Sequence, residues 1–215
     1  MSSATITTSA RLMNSTPQTE EQAMVRKVAV SSFLGNFIEW FDYASYSYFA
    51  TTIALVFFPT DNHTVAMLQT FGVFALSFIL RPIGALFWGS YGDKKGRKAA
   101  LAHSIMFMSG ASFLIGCLPS YSVIGVGAPI LLLLLRMVQG FSASGEYAGA
   151  ATFLGEYAPT SKRGIYCSLI PASTAIGLLA GSTLATLMTA NMNSSAMVGW
   201  GWRVPFLLAG PLGLI

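Results

Sequence analysis

Charged residues are scarce in this sequence, and their scarcity decides its class. Asp, Glu, Lys and Arg make up 9% of the 215 residues, whereas ordinary soluble domains carry about 25%. Hydrophobic residues make up 53%, and the mean hydropathy is +0.61. A chain with so little polar surface does not stay in water. A soluble fold is therefore excluded, and an all-α membrane protein is predicted.

Cysteine and histidine are scarce too, with two of each. Cys117 is predicted to end one outward-going helix and Cys167 to begin another, which puts them near opposite membrane faces, beyond the ~7 Å Cα separation that a disulfide can bridge. His63 and His103 stand apart from one another and from any cluster of metal-ligating residues. The sequence therefore predicts no disulfide, no metal site and no resident cofactor.

Long apolar runs are what the sequence has in abundance. Residues 1–27 are Ser/Thr-rich without an apolar period and are predicted to form a flexible cytoplasmic tail. Five runs come near or exceed the roughly 20 residues that cross a bilayer: 28–58, 65–88, 99–118, 129–157 and 165–190. A sixth predicted helix, 204–215, is too short to cross, so we expect a fragment truncated in helix 6.

The cations predict the orientation. Lys and Arg concentrate before the first run, in the second connection and in the fourth, and they are absent from the first and third connections. The net charge of +4 is thus explained by topology rather than by a nucleic-acid partner. By the positive-inside rule the N-terminus and the charged stretch Gly89–Lys98, predicted to be a short loop, are cytoplasmic. The predicted location is the plasma (bacterial inner) membrane, with the lipid bilayer as partner.

Ionisable side chains inside the membrane predict the functional site, because each costs at least ~2.5 kcal/mol on insertion scales and needs a cavity or a partner. Helical spacing groups them with other polar and aromatic residues on two faces. The first helix contributes Asn36, Glu39, Trp40, Tyr43, Tyr46 and Ser47, with Asp42 at the edge. The fourth helix contributes Arg136, Gln139, Gly140, Ala143, Glu146, Tyr147 and Ala150.

Depth in the bilayer suggests roles for the charges. At about 1.5 Å per residue, Glu39 lies near the midplane, while Asp42 and Arg136 lie at matching depths and could pair across a central cavity. Carboxylates in low-dielectric cavities exchange protons near neutral pH, so Glu39 is the predicted proton carrier. The alternative is that these charges, together with Arg81, form buried ion pairs that hold helices together.

Three motifs carry a resemblance to the major facilitator superfamily. They are Gly89-x-x-x-Asp93-Lys94-x-Gly96-Arg97-Lys98, Arg136-x-x-Gln139-Gly140 and Glu156-x-x-Pro159-x-x-x-Arg163-Gly164. The resemblance implies a transporter of two six-helix halves, of which this chain would be the N-terminal one and the missing C-terminal half its partner. It also implies alternating access and a cytoplasmic gate formed by Gly89, Asp93, Gly96, Arg97, Glu156 and Arg163.

Four further segments, 34–43, 81–84, 139–147 and 200–206, resemble the metabolite:proton symporter family, in particular its proline/betaine transporters. A drug:proton antiporter is disfavoured, because Gly177-Leu178-Leu179-Ala180-Gly181 lacks the Gly-Pro-x-x-Gly-Gly pattern of that branch. Gly177 and Gly181 are instead predicted to form a close helix-packing face.

The resemblance implies symport of a small substrate with the proton as coupling ion. Trp40, Tyr43 and Tyr46 would suit a quaternary ammonium and Arg136 a carboxylate, which together describe a zwitterion such as betaine or proline. Symport of a mono-, di- or tricarboxylate, for which Arg81 and Arg136 would matter more, stays open. So does a non-transporting half-protein that acts as partner or regulator. An enzyme is not predicted, since no nucleophile–base pair stands out.

Overall fold

The computed structural model describes residues 16–144 and 146–213, and every regular element in these ranges is helical. The helices are α1 Thr16–Tyr48, α2 Ala50–Phe57, α3 His63–Ile79, α4 Arg81–Lys95, α5 Arg97–Cys117, α6 Tyr121–Ile124, α7 Gly127–Ala143, α8 Glu146–Tyr157, α9 Arg163–Asn191, α10 Ser194–Gly199 and α11 Val204–Leu212. A 3₁₀ turn, Gly201–Arg203, precedes α11. The predicted all-α fold is confirmed.

Within residues 16–144 and 146–213, three helices are long and apolar enough to cross a membrane: the continuous α3–α4 rod from His63 to Lys95, α5 and α9. The first predicted run lies in α1 and α2, whose boundary at Phe49 is bridged by backbone hydrogen bonds to and from that residue. Polar residues on α1 lower its mean hydropathy. The fourth predicted run is divided between α7 and α8.

The beginning of α1 differs from the predicted tail boundary. The helix begins at Thr16, well before the predicted start at residue 28. Apolar periodicity alone gives no sign of this extension, because Glu20, Glu21 and Gln22 are polar but favour helix. Val25 on the extension is buried against Leu154 of α8 and Ile170 of α9, so packing as well as propensity supports the helix here.

The charged stretch Gly89–Lys98 is not the loop that was predicted. Helix α4 continues to Lys95 and α5 begins at Arg97, so the connection is Gly96 alone. Gly96 has a φ of +94°, a conformation that side chains with a Cβ disfavour. The prediction was wrong because glycine was read as a turn signal, whereas Gly89 and Gly92 lie within the helix.

Helix α1 lies at the centre of the bundle and packs along α9, with α5, α8 and α11 around it. The predicted glycine face on α9 is confirmed. A Cβ at Gly177 would lie 2.7 Å from the carbonyl oxygen of Phe37, and one at Gly181 would lie 2.7 Å from the Cβ of Ala44. The two helices therefore approach with backbone nearly in contact, as small-residue interfaces in membranes allow.

The outer surface is apolar. Many large apolar side chains are exposed, among them Leu68, Leu86 and Leu179, which expose 67%, 78% and 65% of their area. Polar and charged side chains lie buried instead, among them Asn36, Glu39, Asp42, Arg136 and Gln139. This inside-out distribution fits a bundle immersed in lipid, with its polar residues turned inward.

Candidate functional site

Asp42 lies in a sealed hydrogen-bond network that joins three helices. Its Oδ2 forms an ion pair with Nη1 of Arg136 on α7. Its Oδ1 accepts hydrogen bonds from Ser112 Oγ on α5, at 3.0 Å, and from Gln139 Nε2 on α7, at 3.1 Å. All four residues are at most 3% exposed. The pairing anticipated from their depth is present, and it lies inside the bundle.

Arg136 is held on its other side by aromatic rings. Its Cζ lies 3.9 Å from the ring centroid of Tyr46, 5.5 Å from that of Phe206 and 5.9 Å from that of Phe74. Tyr46 in turn donates its hydroxyl to the carbonyl oxygen of Thr70, at 2.8 Å, and is 0% exposed. Cation–π contacts of this kind are strongest when water is excluded. Two of the predicted substrate contacts, Tyr46 and Arg136, therefore lie buried inside the bundle in this structure.

Glu39 forms a second, separate ion pair. Its Oε1 pairs with Nη2 of Arg81, and the same Nη2 donates to the hydroxyl oxygen of Tyr43. The side chain of Glu39 is 4% exposed, whereas that of Arg81 is 31% exposed. Arg81 thus covers the carboxylate and presents its own outer edge to the surroundings.

A groove of about 490 Å³ begins where Arg81 is exposed. Its walls come from α1, from α3 and the start of α4, and from α9, and they comprise Trp40, Tyr43, Ala44, Ser47, Tyr48, Phe74, Phe78, Arg81, Leu178 and Ser182. Four of these are aromatic rings in mutual contact: Tyr43 lies 5.7 Å from Trp40, 5.3 Å from Phe74 and 5.9 Å from Phe78, centroid to centroid. The volume lies within the range of small-molecule sites, roughly 300–1,000 Å³.

Asn36 is directed away from the groove. Its Nδ2 donates to Ser173 Oγ and Thr174 Oγ1, both at 2.8 Å, and to the carbonyl oxygen of Ile170, at 3.1 Å, all on α9. In this structure the residue fastens α1 to α9 beside Pro171, which interrupts the hydrogen-bond ladder of α9.

Three other predicted residues of the fourth span, Gln139, Gly140 and Glu146, have different surroundings. Gln139 belongs to the Asp42 network. Gly140 allows close approach to the backbone of Ser77 on α3, with no room for a Cβ. Glu146 begins α8, but its side chain lies outside the described part of the structure.

The predicted gate residues lie on α4, at the connection at Gly96, at the start of α5, at the end of α8 and at the start of α9. Asp93 and Arg97 face one another across Gly96, with 3.7 Å between Oδ1 and Nη2 and with side chains 71% and 53% exposed. Gly89 is exposed on α4, as are Glu156 at the end of α8 and Arg163 at the start of α9. Among the described residues neither Glu156 nor Arg163 forms an ion pair.

Several residues of the site were not found from the sequence. Phe74 and Phe78 complete the aromatic groove, and their i, i+4 spacing on α3 was the available signal. Ser112 completes the Asp42 network, and a lone serine in an apolar helix gives no signal of this kind. Outside the site, Arg203 caps the C-terminal end of α5, where its Nη1 donates to the carbonyl oxygens of Gly116 and Leu118.

Comparison with known proteins identifies a family and relatives with similar sequences. Residues 27–215 match the family model of sugar (and other) transporters. The chain is 43% identical over 195 residues to the glycine betaine/proline/ectoine/pipecolic acid transporter OusA of Dickeya dadantii, and 42% identical to the proline/betaine transporter of Escherichia coli K12. Each alignment covers 91% of this chain and 39% of the relative, so the chain spans about two-fifths of their length.

Solved structures show the same fold. The major facilitator superfamily proton:xylose symporter XylE, bound to 6-bromo-6-deoxy-D-glucose, superposes with a TM-score of 0.74 over 90% of this chain and 43% of its own, at 17% identity. The inward-open xylose transporter XylE from E. coli gives 0.69 over 88% of this chain and 46% of its own, at 18% identity. The resemblance inferred from the motifs is confirmed: this multi-pass membrane chain belongs to the sugar (and other) transporter family of the major facilitator superfamily.

Proposed function

We propose that this chain is the N-terminal half of a secondary transporter that carries a small zwitterionic osmolyte together with protons. The observation that carries the proposal is the aromatic groove beside the Glu39–Arg81 pair, where rings suited to an ammonium group border a cation and a buried carboxylate. The relatives named for glycine betaine and proline support the same substrate class. The fold supports the further proposal of alternating access, in which a second half rocks against this one.

Glu39 is the proposed proton carrier, and the proton is the only coupling agent the proposal needs. A carboxylate next to a cavity can receive a proton from water that enters the groove, whereas a sealed one has no such route. Glu39 lies directly behind Arg81, so movement of that one side chain opens it to the groove. Asp42 and Arg136 have no exposed edge in this structure, and a part for them in the proton pathway requires a rearrangement of the bundle.

The proposed setting is the bacterial inner membrane, with the N-terminus in the cytoplasm. Lys98, Lys162 and Arg163 lie at helix ends that this orientation places on the cytoplasmic side, and Arg26 and Lys27 lie in the N-terminal part of α1. On that side Asp93, Arg97, Glu156 and Arg163 would form a latch with the second half. Exposed pairs contribute only ~0–1 kcal/mol each, so several must act together to bias the transporter toward one state.

Uptake by the complete transporter in proteoliposomes tests the proposal. We expect an inward proton gradient to drive accumulation of labelled glycine betaine, with proline competing and 2-oxoglutarate not competing.

Carboxylate symport is the second candidate. Competition by 2-oxoglutarate alone would favour it, although the groove presents just one arginine among the described residues. Absence of gradient-driven uptake of any of the three compounds would contradict both.

A further inference from the structure

The two membrane-embedded arginines differ in their ability to meet a substrate. Arg136 is 1% exposed, its Nη1 is committed to Asp42 and Gln139, and aromatic rings enclose the rest of the guanidinium. Arg81 has 31% of its side chain exposed and lines the groove. If a substrate carboxylate is bound by an arginine of this half, the structure selects Arg81.

Arg81 and Arg136 both have guanidinium nitrogens without a hydrogen-bond partner, Nε in Arg81 and Nε and Nη2 in Arg136, but Arg81 is the one that lines the groove. A guanidinium carries five N–H groups in a planar fork, and in the described residues Arg81 uses only Nη2, toward Glu39 and Tyr43. Its Nε is buried without a partner, and Nη1 makes no hydrogen bond in the part of the chain that the structure describes. An incoming carboxylate could therefore be bound in a bidentate manner after a small rotation of the fork.

The aromatic rings beside Arg81 could bind the ammonium group of a small zwitterion whose carboxylate contacts Arg81. The Cζ of Arg81 lies 4.6 Å from the ring centroid of Phe78 and 5.5 Å from that of Tyr43. Tyr43 also contacts Trp40 and Phe74. A quaternary ammonium binds within about 6 Å of such ring centroids, so its carboxylate, one or two carbons away, reaches Arg81.

From these contacts, and resting on the proposed function, we propose that the substrate carboxylate and Glu39 compete for Arg81. In the empty site Arg81 is paired with Glu39. When a proton from water binds an Oε atom of Glu39, that carboxyl becomes neutral, and Arg81 turns its fork to the carboxylate of the zwitterion. The loaded site then carries one more positive charge than the empty one, contributed by the proton, since the substrate itself is neutral.

The charged groups around Glu39 indicate that protonation of Glu39 is the single ionisation step in this exchange. Among the described residues, the charged or titratable groups that act on Glu39 are Arg81 from α4, and Tyr43 and Asp42 from α1. Helix α9 faces this part of α1 with Gly177 and Gly181. Asp42 is neutralised by its own partner, Arg136, which does not line the groove. The pair that breaks and re-forms is therefore Glu39–Arg81.

The exchange makes a prediction about substrate class. A zwitterion with one carboxylate satisfies Arg81 when Glu39 is protonated. A cation such as choline, which lacks the carboxylate, gains the ring contacts but leaves the Glu39–Arg81 pair intact, so its binding should not require a proton. Affinity for glycine betaine should therefore fall as the pH rises, whereas affinity for choline should not.

Binding of glycine betaine and of choline to the complete transporter in nanodiscs, measured calorimetrically at several pH values, tests the exchange. Glu39→Gln should bind betaine independently of pH and at least as tightly as the parent at low pH, because glutamine does not hold Arg81 as an ion pair. Adding Arg81→Gln to that variant should weaken betaine binding about tenfold or more, and choline binding should stay unchanged. Glu39→Gln/Arg81→Gln leaves no unpaired buried charge, so loss of folding does not confound the comparison.

Lys94→Gln, which removes an exposed cation at the far end of α4, is the control and should bind both compounds like the parent. Equal betaine affinity in Glu39→Gln and in Glu39→Gln/Arg81→Gln would overturn the exchange while leaving the proposed function standing, as would a betaine affinity of the parent that does not change with pH. A parent protein that binds betaine at no pH would overturn the proposed function and the exchange with it.

Discussion

Glu39 and Asp42 are one helical turn apart on α1, yet their surroundings differ in every respect that matters for proton transfer. Asp42 accepts three hydrogen bonds from two other helices, and its arginine partner is enclosed by rings. Glu39 has an arginine partner whose outer edge lies in a groove. The difference shows that a membrane-embedded ion pair can either hold helices together or take part in proton and substrate exchange. The exposure of the arginine distinguishes the two roles.

The largest effect should follow from breaking the sealed pair. Arg136→Gln leaves Asp42 buried with no cation and should lower the free energy of unfolding by about 3–5 kcal/mol. Thermal unfolding of the complete transporter in detergent measures this loss. Asp42→Asn/Arg136→Gln removes both charges and should recover part of the stability. A melting temperature of Arg136→Gln equal to that of the parent would show that the network is not cohesive.

A smaller loss is expected at the accessible pair. Arg81→Gln strips Glu39 of its cation, but the carboxylate then lies beside the groove, where it can be hydrated or protonated. The expected cost is about 2 kcal/mol, below that of Arg136→Gln in the same thermal assay. If Arg81→Gln proves the more destabilising of the two, the distinction drawn between the pairs is reversed.

The sealed network should tolerate loss of a single neutral member. Ser112→Ala removes one of the three hydrogen bonds to Asp42, while Gln139 continues to donate to the same oxygen. The expected cost is about 1 kcal/mol. Ser122→Ala, at an exposed serine of α6, provides the matched control and should leave the melting temperature unchanged. A loss at Ser112 as large as that of Arg136→Gln would mean that the serine, rather than the arginine, holds the network.

The smallest effect belongs to the exposed pair at the end of α4. Asp93→Asn removes a partner from an ion pair that is more than half exposed on both sides, and it should cost less than about 1 kcal/mol, decreasing with added salt. The melting temperature at low and high ionic strength checks this expectation. A salt-independent loss of several degrees would indicate that Asp93 has a buried partner.

The sequence predicted the helical bundle, but it did not predict that the Asp42–Arg136 pair is sealed while the Glu39–Arg81 pair borders a groove. Charges and glycines in Gly89–Lys98 were enough to recognise the superfamily, although they also led to a loop where the helix continues to Lys95. Helical spacing put Glu39, Tyr43 and Tyr46 on one face. It could not tell which neighbouring helix each would meet, because a single helix carries no information about where its partners cross.

Neighbours decide the role of each side chain in this site. Tyr43 meets the groove because Phe74 and Phe78 of α3 leave space beside it, whereas Tyr46, one turn further, is covered by Arg136. Asn36 meets Ser173 and Thr174 of α9 because Gly177 and Gly181 bring that helix close. These are consequences of three-dimensional packing, and no local pattern in the sequence encodes them.

The measurement that tests the central claim most directly compares two modes of betaine transport by Glu39→Gln in the complete transporter. Exchange of labelled for unlabelled glycine betaine across the vesicle membrane needs no net proton movement, whereas accumulation driven by a pH gradient does. We predict that Glu39→Gln keeps the exchange and loses the accumulation. Gradient-driven accumulation that survives in Glu39→Gln at the parent's level would contradict the assignment of Glu39 as the proton carrier.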